Sequence, residues 1–165
     1  MQASAQALAA AGLDVRRFNF AYREQGRRIP DPMPLLKSTY QAVVARERDG
    51  GRKLFIGGRS MGGRVATMLA ADGLPCDGLI LLAYPLHPAG KPEKLRDAHL
   101  PRIRVPVLCF NGTRDALCTR ELMEKALAPV TAAWQMHWIE GADHSLATAK
   151  ALAEIGEATR RWLGK

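Results

Sequence analysis

Three short runs dominate the sequence: residues 53–58, 78–84 and 105–110, reading Lys-Leu-Phe-Ile-Gly-Gly, Gly-Leu-Ile-Leu-Leu-Ala-Tyr and Val-Pro-Val-Leu-Cys-Phe. They do not alternate apolar with polar residues, as a strand with one wet face would. They are apolar almost throughout, the pattern of strands buried on both faces of a parallel sheet. Helical patterns lie between them, over residues 35–48 (with Leu36, Tyr40, Val43 and Val44 on one face), 62–71 and 121–128. A strand over residues 134–139 and an amphipathic helix over 145–163 close the chain. At the start, a helix over residues 5–11 is capped by Gly12 and followed by a strand over 13–20. Residues 22–34 form a Pro-rich loop. Residues 85–101, with Pro85, Pro88, Pro92 and Pro101, form a second one that holds one short helix. Strands alternating with helices specify an α/β fold, a parallel sheet covered on both faces. The 165 residues, 47% of them apolar, suit one domain over residues 1–165, without repeats or a linker.

The chemistry is expected where the first of these strands meets its helix. Gly58-Arg59-Ser60-Met61-Gly62 is G-x-S-x-G, preceded by the strand and opening the helix. In that context the serine sits on a sharp, strained turn that lifts its hydroxyl above the sheet edge. Small neighbours let strand and helix approach, and the Met61 N–H is aimed at an oxyanion. A nucleophilic serine needs a base and a group to orient the base. Asp115 follows the strand over 105–110, and His144 follows the strand over 134–139, so both fall at C-terminal strand ends, where α/β sheets place their sites. The chain order is Ser60, Asp115, His144, with steps of 55 and 29 residues, each long enough for a further strand–helix unit. His144 would take the Ser60 proton and Asp115 would fix the tautomer.

Other residues compete for these roles. Asp143 adjoins His144, so its carboxylate is expected to point away from the ring. His137 reads as a core or edge residue of its strand, and His87 as a loop histidine that could line a pocket together with Arg59. Cys118 lies close to Asp115 in sequence and could also line the pocket, but it has no base beside it and is not expected to be a nucleophile. The formal charge of +8 reads as a solvated Arg-rich surface, because the arginines are scattered and no nucleic-acid recognition pattern accompanies them. Three widely spaced cysteines (Cys76, Cys109 and Cys118) without C-x-x-C indicate a reducing, cytoplasmic setting with neither disulfides nor a zinc site. The Ala-rich start has no basic leader pattern, and no apolar run reaches the roughly 18 residues that span a bilayer.

Several segments occur together and in order: Gly57-Gly58-Arg59-Ser60-Met61-Gly62-Gly63-Arg64, Tyr84-Pro85-Leu86-His87-Pro88, Lys94-Leu95-Arg96-Asp97, Gly112-Thr113-Arg114-Asp115, and Trp138-Ile139-Glu140-Gly141-Ala142-Asp143-His144-Ser145. In these the chain resembles a small α/β-hydrolase family. That family includes dienelactone-hydrolase-like bacterial proteins, a testis-expressed protein and the hydrolase-like domain of a nonspecific-lethal complex subunit. The resemblance implies a lidless α/β-hydrolase fold and a hydrolase without a known substrate; with Ser60, Asp115 and His144 the expectation is a serine hydrolase acting on an ester, thioester or similar small acyl substrate. That chemistry needs no metal or cofactor, and no nucleic-acid or membrane partner is expected. The alternative is a catalytically weak or inactive hydrolase-like scaffold acting in protein interactions. The family also carries strands before the first helix, one ending in a His-Gly-x-Gly loop that supplies a second oxyanion N–H. Met1 falls inside that helix, so the missing strand would leave the edges of the 13–20 and 53–58 strands open to association between copies.

Overall fold

A computed structural model of the chain describes residues 2–48 and 50–165. Its elements in chain order are α1 (Gln2–Ala10), α2 (Ala21–Glu24), α3 (Met33–Glu47), β1 (Phe55–Arg59), α4 (Met61–Ala71), β2 (Gly78–Leu82), a 3₁₀ turn (Leu100–Arg102), β3 (Val107–Gly112), α5 (Arg120–Leu127), β4 (Trp134–Ile139) and α6 (Ala149–Trp162). The four strands form one sheet in the order β1-β2-β3-β4, parallel at every step.

The apolar runs work as strands because successive side chains fill opposite layers. Leu79, Leu81, Val107 and Cys109 enter the core shared with α3, α4 and α5. Ile80, Leu82, Leu108 and Phe110 enter the core beneath α6, which also packs against α1. Most of these side chains are fully buried, each worth on the order of 1.5–3 kcal/mol. Helix ends are set locally. Thr119 and Thr148 are the N-caps of α5 and α6, their hydroxyls accepting from the Leu122 and Ala151 N–H groups.

The strand expected over residues 13–20 does not form. The segment makes no ladder bonds and joins none of the four strands of the sheet. Aromatic packing holds it instead. Phe18 meets Phe20 and Tyr40 edge to face, with ring centroids 5.4 and 5.1 Å away. Between this segment and β1 runs an open groove of about 640 Å³, mainly apolar, bounded by Phe18, Phe20, Tyr40, Leu54 and Ile56. The free edge of β1 is partly satisfied from within the chain. The Tyr40 hydroxyl donates to the Gly57 carbonyl (2.5 Å) and accepts from the Gly57 N–H (2.8 Å). Burial pushes the Tyr40 phenol up to about 12, so it remains a neutral donor.

Other boundaries move by a few residues. α2 interrupts the loop expected over 22–34, the final helix starts at Ala149 rather than at 145, and β2 ends at Leu82 because Ala83 turns to φ 51°. Among the described residues no helix is long and apolar enough to cross a membrane.

Candidate active site

Ser60 stands between β1 and α4 with φ 51° and ψ −115°, a conformation that costs a non-glycine residue energy and projects its side chain off the sheet edge. The Ser60 N–H still bonds the Leu82 carbonyl at 2.9 Å, which ties the strained residue to β2. The flanking glycines divide the steric work unevenly. A Cβ at Gly58 would lie 2.9 Å from the Gly62 carbonyl carbon, and one at Gly63 would lie 2.8 Å from the Gly58 oxygen. A Cβ at Gly62 would meet nothing within 4 Å. The close approach expected of both motif glycines therefore rests on Gly58 and Gly63. The Met61 N–H lies in the first turn of α4, where amides lack intrahelical partners.

Asp115 and His144 come to Ser60 from the ends of β3 and β4. Ser60 Oγ is 2.9 Å from His144 Nε2, and His144 Nδ1 is 2.8 Å from Asp115 Oδ2. The Asp115 side chain is fully buried; that of His144 is 29% exposed, open enough for a reactant to reach it. Asp115 also accepts the Leu117 N–H at Oδ1 (2.9 Å) and the Asn111 amide at Oδ2 (3.2 Å). The loop bearing His144 is clamped to the end of β3, with Arg114 N–H on the Ala142 carbonyl (2.9 Å) and Thr113 N–H on the Ile139 carbonyl (3.1 Å). Arg59 secures it from the other side by donating to the His144 carbonyl (3.0 Å).

Asn111 and Gly112 belong to this architecture, and the sequence reading gave neither a role. Asn111 is fully buried; its amide accepts from the Tyr84 N–H and donates to the Tyr84 carbonyl and to Asp115. One side chain thus joins the end of β2 to the Asp115 carboxylate. Gly112 lies against the histidine loop, where a Cβ would sit 2.1 Å from the Ala142 oxygen. The signal was available, because an Asn-Gly pair in an otherwise apolar strand end calls for a reason.

The competing residues lie elsewhere. Asp143 is exposed; the Ser145 side chain and then the Ser145 N–H lower its carboxyl below the usual range, and no bond joins it to the ring. His137 pairs with Glu154 of α6 at 3.1 Å. The groove beside β1 reaches Ser60, Met61 and His144 and includes Arg59. His87 and Cys118, both expected as possible pocket residues, do not line it. His87 is buried under its own loop with Nδ1 on the Pro88 carbonyl. Cys118 is buried, and burial followed by the Asp115 charge pushes its thiol up to about 12. A second cavity, about 750 Å³, opens at the opposite end of the sheet against Leu54, Asp77 and Pro106 and touches none of the three site residues. No group of three or more potential metal ligands occurs among the described residues.

Comparison with known proteins agrees with this fold. The profile of the family described as an alpha/beta hydrolase domain matches residues 1–159. Among solved structures the chain is similar to an alpha-beta serine hydrolase homologue from Coxiella burnetii, with 22% identity, 98% of this chain and 74% of that one covered, and a TM-score of 0.74. A dienelactone hydrolase from Anabaena variabilis matches at 21% identity over 99% of this chain and 77% of its own, with a TM-score of 0.73. The esterase domain of a Rhodothermus marinus protein matches at 16% identity, with 98% and 77% covered and a TM-score of 0.71.

Proposed function

The chain belongs to the alpha/beta hydrolase domain family, and from that premise we propose that it is a serine hydrolase cleaving an ester, thioester or similar small acyl substrate. The observation that carries the reading is the unbroken path from Ser60 Oγ to His144 Nε2 (2.9 Å) and from Nδ1 to Asp115 (2.8 Å), at a strained elbow. Ser60 attacks the acyl carbon while His144 takes its proton. The imidazolium then protonates the leaving alcohol or thiol, and water repeats the sequence to release the acid. Buried Asp115, held by Leu117 and Asn111, keeps Nδ1 protonated and stabilises the imidazolium. The Met61 N–H faces the developing oxyanion.

The second reading, a hydrolase-like scaffold with little or no turnover, has its own support. Among the described residues the Met61 N–H is the one oxyanion donor that the elbow names. Loss of one donor typically costs about 10²–10³ in turnover. Labelling with a fluorophosphonate separates the two. On the hydrolase reading the wild type is labelled and Ser60→Ala is not. Labelling that persists in Ser60→Ala removes Ser60 as the nucleophile, and an unlabelled wild type favours the scaffold.

A further inference from the structure

Arg64 and Arg96, both beyond the triad, have no anionic partner among the described residues. Arg64 lies in the first turn of α4, its N–H on the Ser60 carbonyl at 3.0 Å. Arg96 lies in the loop that crosses from β2 to β3, its N–H on the Leu86 carbonyl at 2.7 Å. Both are half-buried. A chain of hydrogen bonds joins their backbones. Thr67 Oγ1 donates to the Arg64 carbonyl (2.8 Å) and lies 2.9 Å from His99 Nε2. That nitrogen is 3.5 Å from the Tyr84 hydroxyl, which donates to the Arg96 carbonyl (3.3 Å).

These bonds fix the backbones from which the two side chains start, and among the described residues neither guanidinium forms a salt bridge or a side-chain hydrogen bond. Arg64 Nε is wholly buried and has no hydrogen-bond partner. The neighbouring carboxylate Asp72 is committed to Lys37 and Arg102, and Asp97 makes no ion pair with either arginine. Burial, followed by the Arg64 charge, lowers the Arg96 guanidinium. His99 adds no charge to the cluster, because burial followed by the Arg64 charge holds it down at about 4.

Partly burying two like charges without a counterion is costly unless something supplies one, and a guanidinium fork fits oxyanions of carboxylate or phosphate geometry. We propose that Arg64 and Arg96 together form a binding site for such an oxyanion, a carboxylate or a phosphate group, one helical turn beyond Ser60. The anion is either part of the substrate or a free ion. The site stands on the arginines alone and does not require Ser60 to be a nucleophile.

The test uses inorganic phosphate on the full chain, against sodium chloride of equal ionic strength. At about ten times its dissociation constant, phosphate should raise Tm by about 3–5 °C. Arg64→Gln and Arg96→Gln should each abolish that rise, Arg96→Lys should retain only part of it, and exposed Arg28→Gln should leave it intact. The same measurement on Ser60→Ala should match the wild type, which separates this site from the hydrolase reading. A wild type that responds to phosphate no more than to chloride overturns the proposal, as does a response that survives in both glutamine variants. A second arm identifies the source of the anion. If the substrate carries it, Arg96→Gln raises KM about tenfold or more for an ester bearing a free carboxylate but not for a neutral ester. If both esters respond alike while the phosphate effect holds, the occupant is a free anion.

Discussion

Two carboxylates and two glycines show how much the individual residue matters here. Asp115 and Asp143 are both close to His144 in the fold or the sequence, but only Asp115 bonds the ring. Asp115→Asn should therefore lower turnover on a p-nitrophenyl ester by up to about 10⁴ with the circular dichroism unchanged, because the amide favours the wrong tautomer. Asp143→Asn loses only an exposed bond to Ser145 and should turn over substrate at nearly the wild-type rate. If the two variants fail equally, the orienting carboxylate has been misassigned. The glycines give a stability test that is independent of activity. Gly62→Ala adds a Cβ in open space within a helix and should leave the urea midpoint unchanged or raise stability by about 0.5–1 kcal/mol. Gly112→Ala forces a Cβ against the Ala142 oxygen. It should cost about 1–3 kcal/mol or more and displace His144 as well, so that stability and turnover fall together.

At the level of elements, the strands over 53–58, 78–84, 105–110 and 134–139 were readable because each carries its own burial signal, and each appears within a few residues of its expected place. The segment over residues 13–20 carries a similar signal, but a strand exists only through a partner. With none beside it, Phe18 and Phe20 serve as aromatic anchors on Tyr40 rather than as strand residues. Periodicity cannot report whether a neighbouring strand is present. Nor could it show that Tyr40, read as one residue on the apolar face of a helix, would turn its hydroxyl to the edge of β1. Tyr40→Phe tests that role. It strips both bonds from Gly57 at an edge that the groove opens to water, so the expected loss is about 1–2 kcal/mol. The bared edge should also raise the associated fraction seen by size-exclusion chromatography as concentration increases. A variant as stable and as monomeric as the parent would mean that water replaces the hydroxyl at no cost.

For the molecule as a whole, the order Ser60, Asp115, His144 could be read because each residue follows a recognisable strand, and strand ends converge on one side of a parallel sheet. The supporting frame was not legible, since Asn111, Arg59 and the His99 network act through contacts across 27 to 85 residues of sequence. His99 makes that frame sensitive to acid. It bonds Thr67 deep against α4 as a neutral ring, and burial together with the Arg64 charge sets its value at about 4 in the folded chain, against about 6.5 when unfolded. Between those values the unfolded chain binds a proton that the folded chain refuses, so stability rises with pH there. The contribution is complete above about pH 6.5 and is lost progressively as pH falls toward 4. The lowered carboxyls of Asp72 and Asp143 act in a lower window, below about pH 4, and leave this one distinct. Urea denaturation at intervals from pH 7 to pH 4 should show the decline in wild type and a flatter curve for His99→Gln, measured against each protein's own value at pH 7. Parallel curves for the two proteins would assign the acid sensitivity to other groups and remove His99 from its place as a neutral link between α4 and the loop after β2.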